Sequence, residues 1–148
     1  MDRAERHCWA KVRMNKKKIL IVDDDAVILK AVSMKLSGAG YDVLLAEDGA
    51  AAVKAARQAR PDVILLDITF PPDMGGGPAW DGFLILGWLR RVEEAKTTPV
   101  IMISQDNGPE AQKRAADAGA VDFCPKPIEP QRLLRAIEQA LCATAPGA

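Results

Sequence analysis

Four short stretches of this chain carry side chains suited to one kind of chemistry. Asp23-Asp24-Asp25 follows the apolar run Ile19 to Val22, and Asp67 follows Val63 to Leu66. Ser104 follows Val100 to Ile103, and Lys126-Pro127 follows a weaker run from Val121 to Pro125. Three or more carboxylates brought into one crevice repel one another unless a cation sits among them. Oxygen-only ligands favour a hard ion such as Mg2+, which keeps waters and pairs with phosphate oxygens. A carboxylate beside such an ion can act as nucleophile toward a phosphoryl group and form an acyl phosphate. Charge on the group in transit then needs a metal, an ammonium and a hydroxyl around it. Singly, each signal has a bland explanation. An aspartate run caps helices, and Asp25 fits that use; Asp67 precedes a turn, serines end many strands, and a lone lysine is usually solvated. It is their joint occurrence, in this order, that points to phosphoryl chemistry.

That chemistry requires a scaffold that gathers the four stretches. Ile19-Leu20-Ile21-Val22, Val43-Leu44-Leu45-Ala46, Val63-Ile64-Leu65-Leu66 and Val100-Ile101-Met102-Ile103 are short, unbroken and apolar, as strands buried on both faces read. Helices are expected at Ala26 to Ser37, Gly49 to Ala59, Asp81 to Ala95, Pro109 to Ala118 and Glu129 to Leu141. Asp25 and Asp81 stand as N-caps, and Gly38-Ala39-Gly40, Pro61 and Gly119 stand as stops. A strand-helix alternation repeated five times implies a parallel sheet covered on both faces by right-handed crossovers. Ligands of such sheets bind outside the carboxyl ends of the strands, where the four stretches fall.

The bulk properties agree with one globular domain. The 148 residues are 49% hydrophobic and 27% charged, with 20 basic and 20 acidic side chains. This balance gives no reason to expect a nucleic-acid binder or a membrane-surface protein. The longest apolar stretches are strand-sized, well short of the roughly 20 residues of a spanning helix, and no secretory leader is visible. Cys8, Cys124 and Cys142 show no metal-binding spacing, so a reduced cytoplasm is expected. The expected organisation is an N-terminal extension over 1–16, a domain over 17–142 and a tail over 143–148. His7, the single histidine, lies outside that domain. Gly75-Gly76-Gly77 is not a phosphate loop, since no Gly-Lys-Ser/Thr follows. Cys124 is expected to pack as a small hydrophobe, and Trp88 to be structural.

The stretches ILIVDDDAVI, DVILLDITFP, TPVIMIS and GAVDFCPKP occur in order, and with them the segment from Lys17 to Leu141 resembles the receiver domain of two-component response regulators of the chemotaxis-regulator type. The resemblance implies a flavodoxin-like (βα)5 fold, a doubly wound parallel five-stranded sheet of order 2-1-3-4-5. It implies that Asp67 accepts the phosphoryl group from a histidine kinase or histidine phosphotransfer protein. Asp24 would bind Mg2+ directly, Asp23 mainly through water, and the Thr69 carbonyl would complete the protein ligands together with Asp67. Ser104 and Lys126 would contact phosphoryl oxygens, Lys126-Pro127 would be cis, and Phe123 would be the switch aromatic. Such a protein is a signalling phospho-acceptor, monomeric or weakly dimeric, and catalyses only its own phosphorylation and dephosphorylation.

Three features depart from the family pattern. The segment from Ile68 to Trp80 is long and crowded with glycine and proline, so an irregular loop is expected at the mouth of the site. It reads either as a tolerated insertion or as a partial lid, with Phe70 or Trp80 covering the site. Gln105 stands where the family prefers a small residue and would tune access to Asp67. Phe123 has no hydroxyl, so a switch built on it is steric. Three other functions compete. A phosphatase of the haloacid dehalogenase type would want an acid two positions after the nucleophile, where Thr69 stands. A flavodoxin-like flavin binder would want a Ser/Thr-rich loop after the first strand. A degenerate receiver would serve as a docking module without phosphorylation.

Overall fold

The computed structural model describes residues 16–68, 82–105 and 108–144. Five strands alternate with five helices: β1 (Lys18–Val22), α1 (Ala26–Gly38), β2 (Asp42–Ala46), α2 (Gly49–Ala59), β3 (Val63–Asp67), α3 (Gly82–Arg90), β4 (Val100–Ser104), α4 (Pro109–Asp117), β5 (Asp122–Pro125) and α5 (Pro130–Thr144). All pairings are parallel, in the order β2-β1-β3-β4-β5. This is the flavodoxin-like arrangement expected from the sequence.

Alternate strand residues point to opposite faces, and the core divides accordingly. Ile19, Ile21, Val63, Leu65, Ile101 and Ile103 face α1 and α5, meeting Leu29, Val32, Leu36, Leu133 and Ile137. Leu20, Val22, Ile64, Leu66, Val100 and Met102 face the other layer, meeting Ala52, Ala56, Ile85, Leu86 and Leu89. The helices are anchored very unequally. α5 buries Leu133, Ile137 and Leu141, each worth roughly 1.5–3 kcal/mol, whereas α4 buries only Ala115. Cys124 is buried in the first layer, as expected of a small hydrophobe.

Local chemistry fixes the helix ends. The Asp25 carboxylate caps α1 by accepting from the Val27 N–H at 2.9 Å, and Asp48 caps α2 by accepting from the Ala51 N–H at 2.7 Å. α2 stops at Arg60, which is left-handed at φ 49° ahead of Pro61. Glu129 accepts from the N–H groups of Gln131 and Arg132 at the start of α5.

Three expectations needed adjustment. β2 is an edge strand, so Leu45 is 48% exposed although its run reads like the buried ones. α3 ends at Arg90 rather than at Ala95, because the chain turns there so that the Arg90 guanidinium reaches ahead to donate to the carbonyls of Ala95 and Thr98. α5 runs on to Thr144, beyond the expected Leu141. The N-cap expected at Asp81 lies outside the described residues.

Candidate functional site

β1, β3, β4 and β5 all end on one edge of the sheet, and their last residues meet there. In register, Val22 pairs with Leu66, Asp67 with Ile103 and Ser104 with Pro125. Asp23 therefore stands one residue past β1 beside Asp67, the last residue of β3. The Asp23 N–H donates to the Ala46 carbonyl at 3.1 Å, and its Oδ1 accepts from the Asp25 N–H at 2.9 Å. These bonds fix where its second oxygen points.

Lys126 enters from the far side of the sheet. Its Nζ lies 3.2 Å from Asp67 Oδ2 and 3.4 Å from Asp23 Oδ2. Its N–H donates to the Ser104 carbonyl at 2.8 Å, which ties the lysine to the end of β4. The Lys126-Pro127 bond is cis, as the resemblance implied. All three charged side chains are nearly enclosed, at 10% exposure for Lys126, 4% for Asp23 and 3% for Asp67. Asp24 is exposed, yet one carboxylate oxygen from each of Asp23, Asp24 and Asp67 lies within 4.8 Å of the others.

Electrostatics follow from this crowding. Burial pushes the Asp23 carboxyl above its ordinary value; the Asp25 N–H opposes this, Asp67 adds to it, and Lys126 opposes it through both its charge and its hydrogen bond. Burial and the neighbouring Asp23 likewise raise Asp24. Three carboxylates facing one ammonium leave a surplus of negative charge, which a divalent cation would offset. The donors are all hard oxygens, so the set fits Mg2+.

The remaining candidates are placed as follows. Ser104 is buried at 3% exposure at the end of β4. Phe123 is half-buried, against the layer that contains Met102 and Leu20. Gln105 is exposed and, with Lys126, lines a largely apolar groove of about 660 Å3 between α1 and α5 that includes Ile28, Val32, Leu133 and Leu134. Thr69, Phe70 and Trp80, expected as a metal ligand and as lid residues, lie outside the described residues. Trp88 is partly exposed, and its ring sits where a methyl group on Gly49 would fall.

Two features of this region were not anticipated from the sequence. A Cβ at Gly82 would sit 2.6 Å from the Asp67 carbonyl oxygen, so α3 begins against the backbone of the central aspartate. The glycine after Asp81 was the only signal. At the other end of β5, Asp122 and Arg132 form a two-bond pair at 3.1 and 2.9 Å, and Arg132 also donates to the Phe123 carbonyl.

A parallel sheet with buried acids, a hydroxyl and a lysine at its carboxyl edge defines a class of phosphoryl-handling domains, and comparison with known proteins narrows it. Residues 19–138 match the response regulator receiver domain family, and the chain belongs to it. It is 36% identical over 123 residues to the transcriptional regulatory protein KdpE of Mycobacterium tuberculosis, covering 83% of this chain and 50% of that protein. It is 35% identical over 127 residues to the transcriptional regulator RpaA of Synechocystis, covering 86% of this chain and 50% of that one. The chain thus spans about half the length of these curated relatives. Among solved structures, the Vibrio cholerae chemotaxis protein CheY4 matches with a TM-score of 0.75 at 33% identity, over 86% of this chain and all of that one. The Francisella response regulator 1452 receiver domain matches with a TM-score of 0.74 at 27% identity, over 88% of this chain and 100% of the other.

Proposed function

We propose that Asp67 accepts a phosphoryl group from a histidine kinase or histidine phosphotransfer protein, and that this switches the contacts the domain makes with other proteins. The observation that carries the reading is the position of Lys126 Nζ, 3.2 Å from Asp67 and 3.4 Å from Asp23 in a nearly enclosed cluster. An Asp67 carboxylate oxygen attacks phosphorus as the donor's P–N bond breaks, and the bonding pair leaves with the imidazole. Lys126 then pairs with one phosphoryl oxygen while the Ser104 hydroxyl donates to another. Mg2+ would be held by Asp23, Asp24 and Asp67, with the Thr69 carbonyl as the further ligand that family membership suggests, and would offset charge on the phosphoryl oxygens. The domain's own chemistry is limited to taking up and losing this group, so it acts as a signalling element rather than as a turnover enzyme.

A protein donor suits the surroundings. The apolar groove between α1 and α5 opens beside Lys126 and Gln105, so a partner seated there brings its phosphoryl group to the cluster. Gln105 tunes that approach, and the half-buried Phe123 ring responds sterically to movement of Ser104. The receiver unit spans 17–142 and works in the cytoplasm; no helix among the described residues is long and apolar enough to cross a membrane. The test is intact mass after incubation with Mg2+ and a small phosphodonor, beside an Asp67→Asn variant. The native chain is expected to gain one phosphoryl group and the variant none. Equal uptake by both, or uptake by neither, overturns the reading; the second result returns the docking-module alternative.

A further inference from the structure

α4 is the least anchored helix of the layer it belongs to. Of its nine residues only Ala115 is buried, and Gly108 at its N-cap contributes no side-chain hydrogen bond. One of the contacts of α4 ties its exposed side to α3. The Arg114 guanidinium carbon lies 4.0 Å from the centre of the Phe83 ring, a cation–π arrangement. Phe83 is the second residue of α3 and is half-buried against the same layer as Ala115. The residue before it, Gly82, is the one whose backbone packs on the Asp67 carbonyl. Asp67, Gly82, Phe83 and Arg114 thus form an unbroken physical chain from the proposed phospho-acceptor to α4.

We infer that the Arg114–Phe83 contact is a latch that holds α4 in the arrangement seen here and links that arrangement to the backbone of Asp67. Arg114 supplies the charge and Phe83 the fixed surface. A partly exposed contact of this type shifts an opening equilibrium by about two- to fivefold. That suffices to bias an element with so little buried surface, because weakly packed elements open locally at small cost. The existence of the latch does not depend on phosphorylation; its link to signalling rests on the phospho-acceptor reading above.

Amide hydrogen exchange on the full chain tests both parts. Arg114→Gln and Phe83→Leu are each expected to speed exchange of the α4 amides by about two- to fivefold while leaving α5 unchanged. The double variant should go no further than the larger single effect, and Phe83→Tyr, which keeps an aromatic face, should stay near the native rate. Arg114→Gln touches an exposed side chain, so its result is free of any packing loss caused by Phe83→Leu. Unchanged α4 exchange in Arg114→Gln, or single effects that multiply in the double variant, overturns the latch. With the phosphodonor and Mg2+ present, α4 exchange should change in the native chain and change less in Arg114→Gln. Equal changes overturn the link to Asp67, while intact mass on the same samples reports separately whether Asp67 was phosphorylated.

Discussion

The two ends of β5 hold opposite kinds of charge cluster. After its C-terminal end, Lys126 serves both Asp23 and Asp67 inside a nearly closed site, with Asp24 close by. At its N-terminal end, Asp122 and Arg132 match one to one through two short bonds and remain partly open to solvent. Burial and carboxylate crowding push Asp23 up from the ordinary carboxylate range, whereas the Arg132 bonds hold Asp122 below it. Partner count and burial, not residue type, set the sign. The matched pair pins β5 to α5, while in the crowded cluster three carboxylates gather beside one lysine. Titratable groups crowded and shifted in this way cluster at functional sites.

The comparison breaks most visibly at Asp67. Asp67→Asn is expected to abolish phosphoryl uptake, read by intact mass. It should leave the fold intact or firmer, since it removes one of three mutually repelling carboxylates. Next in size is the response to a divalent cation. Mg2+ at about a hundred times its dissociation constant should stabilise the native chain by about 2.7 kcal/mol, read from urea melts with and without chelator. Asp24→Asn should lose most of that increment. An equal increment in the native chain and in Asp24→Asn would mean that the cluster is not the cation site. Smaller again is the backbone contact that positions Asp67. Gly82→Ala places a methyl group against the Asp67 carbonyl and should cost about 1–3 kcal/mol, as overpacking does. Phosphoryl uptake should slow alongside.

How much of this was legible in the sequence depended on how local the cause was. Strands buried on both faces read as unbroken apolar runs, so β1, β3 and β4 stood out, with Asp23, Asp67 and Ser104 at or just past their ends. Lys126 was placed by the proline after it and by the resemblance of the surrounding stretch. β2 reads like the central strands, because an edge position is a property of topology and leaves no mark on Val43 to Ala46. The early end of α3 was hidden because it depends on Arg90 reaching carbonyls five and eight residues ahead. The Gly82 contact with Asp67 and the Arg114 contact with Phe83 join residues far apart in the chain, and no periodicity announces them. Thr69, the expected metal ligand, and Phe70 and Trp80, the expected lid residues, lie outside the described residues.

The pair at the other end of β5 offers the smallest effect and the cleanest contrast. Asp122 is held below its ordinary value first by the hydrogen bonds from Arg132, against the opposing effect of burial. A carboxyl depressed in the folded chain adds stability that is full above its unfolded value, about 3.9, and that fades as pH falls through the lower folded value. Arg132→Gln should therefore cost about 1 kcal/mol at neutral pH, the scale of a partly exposed ion pair. The gap between native and variant should stay constant from about pH 6 to 8 and narrow below about pH 4 toward what the Arg132 bond to the Phe123 carbonyl contributes. Urea midpoints of the two proteins measured side by side across that range check it, since titrations common to both cancel in the difference. A gap that instead widened in acid would show that Arg132 acts through something other than the Asp122 carboxylate. Asp122 and Asp23 would then no longer stand as one residue type tuned in opposite directions by burial and by its partners.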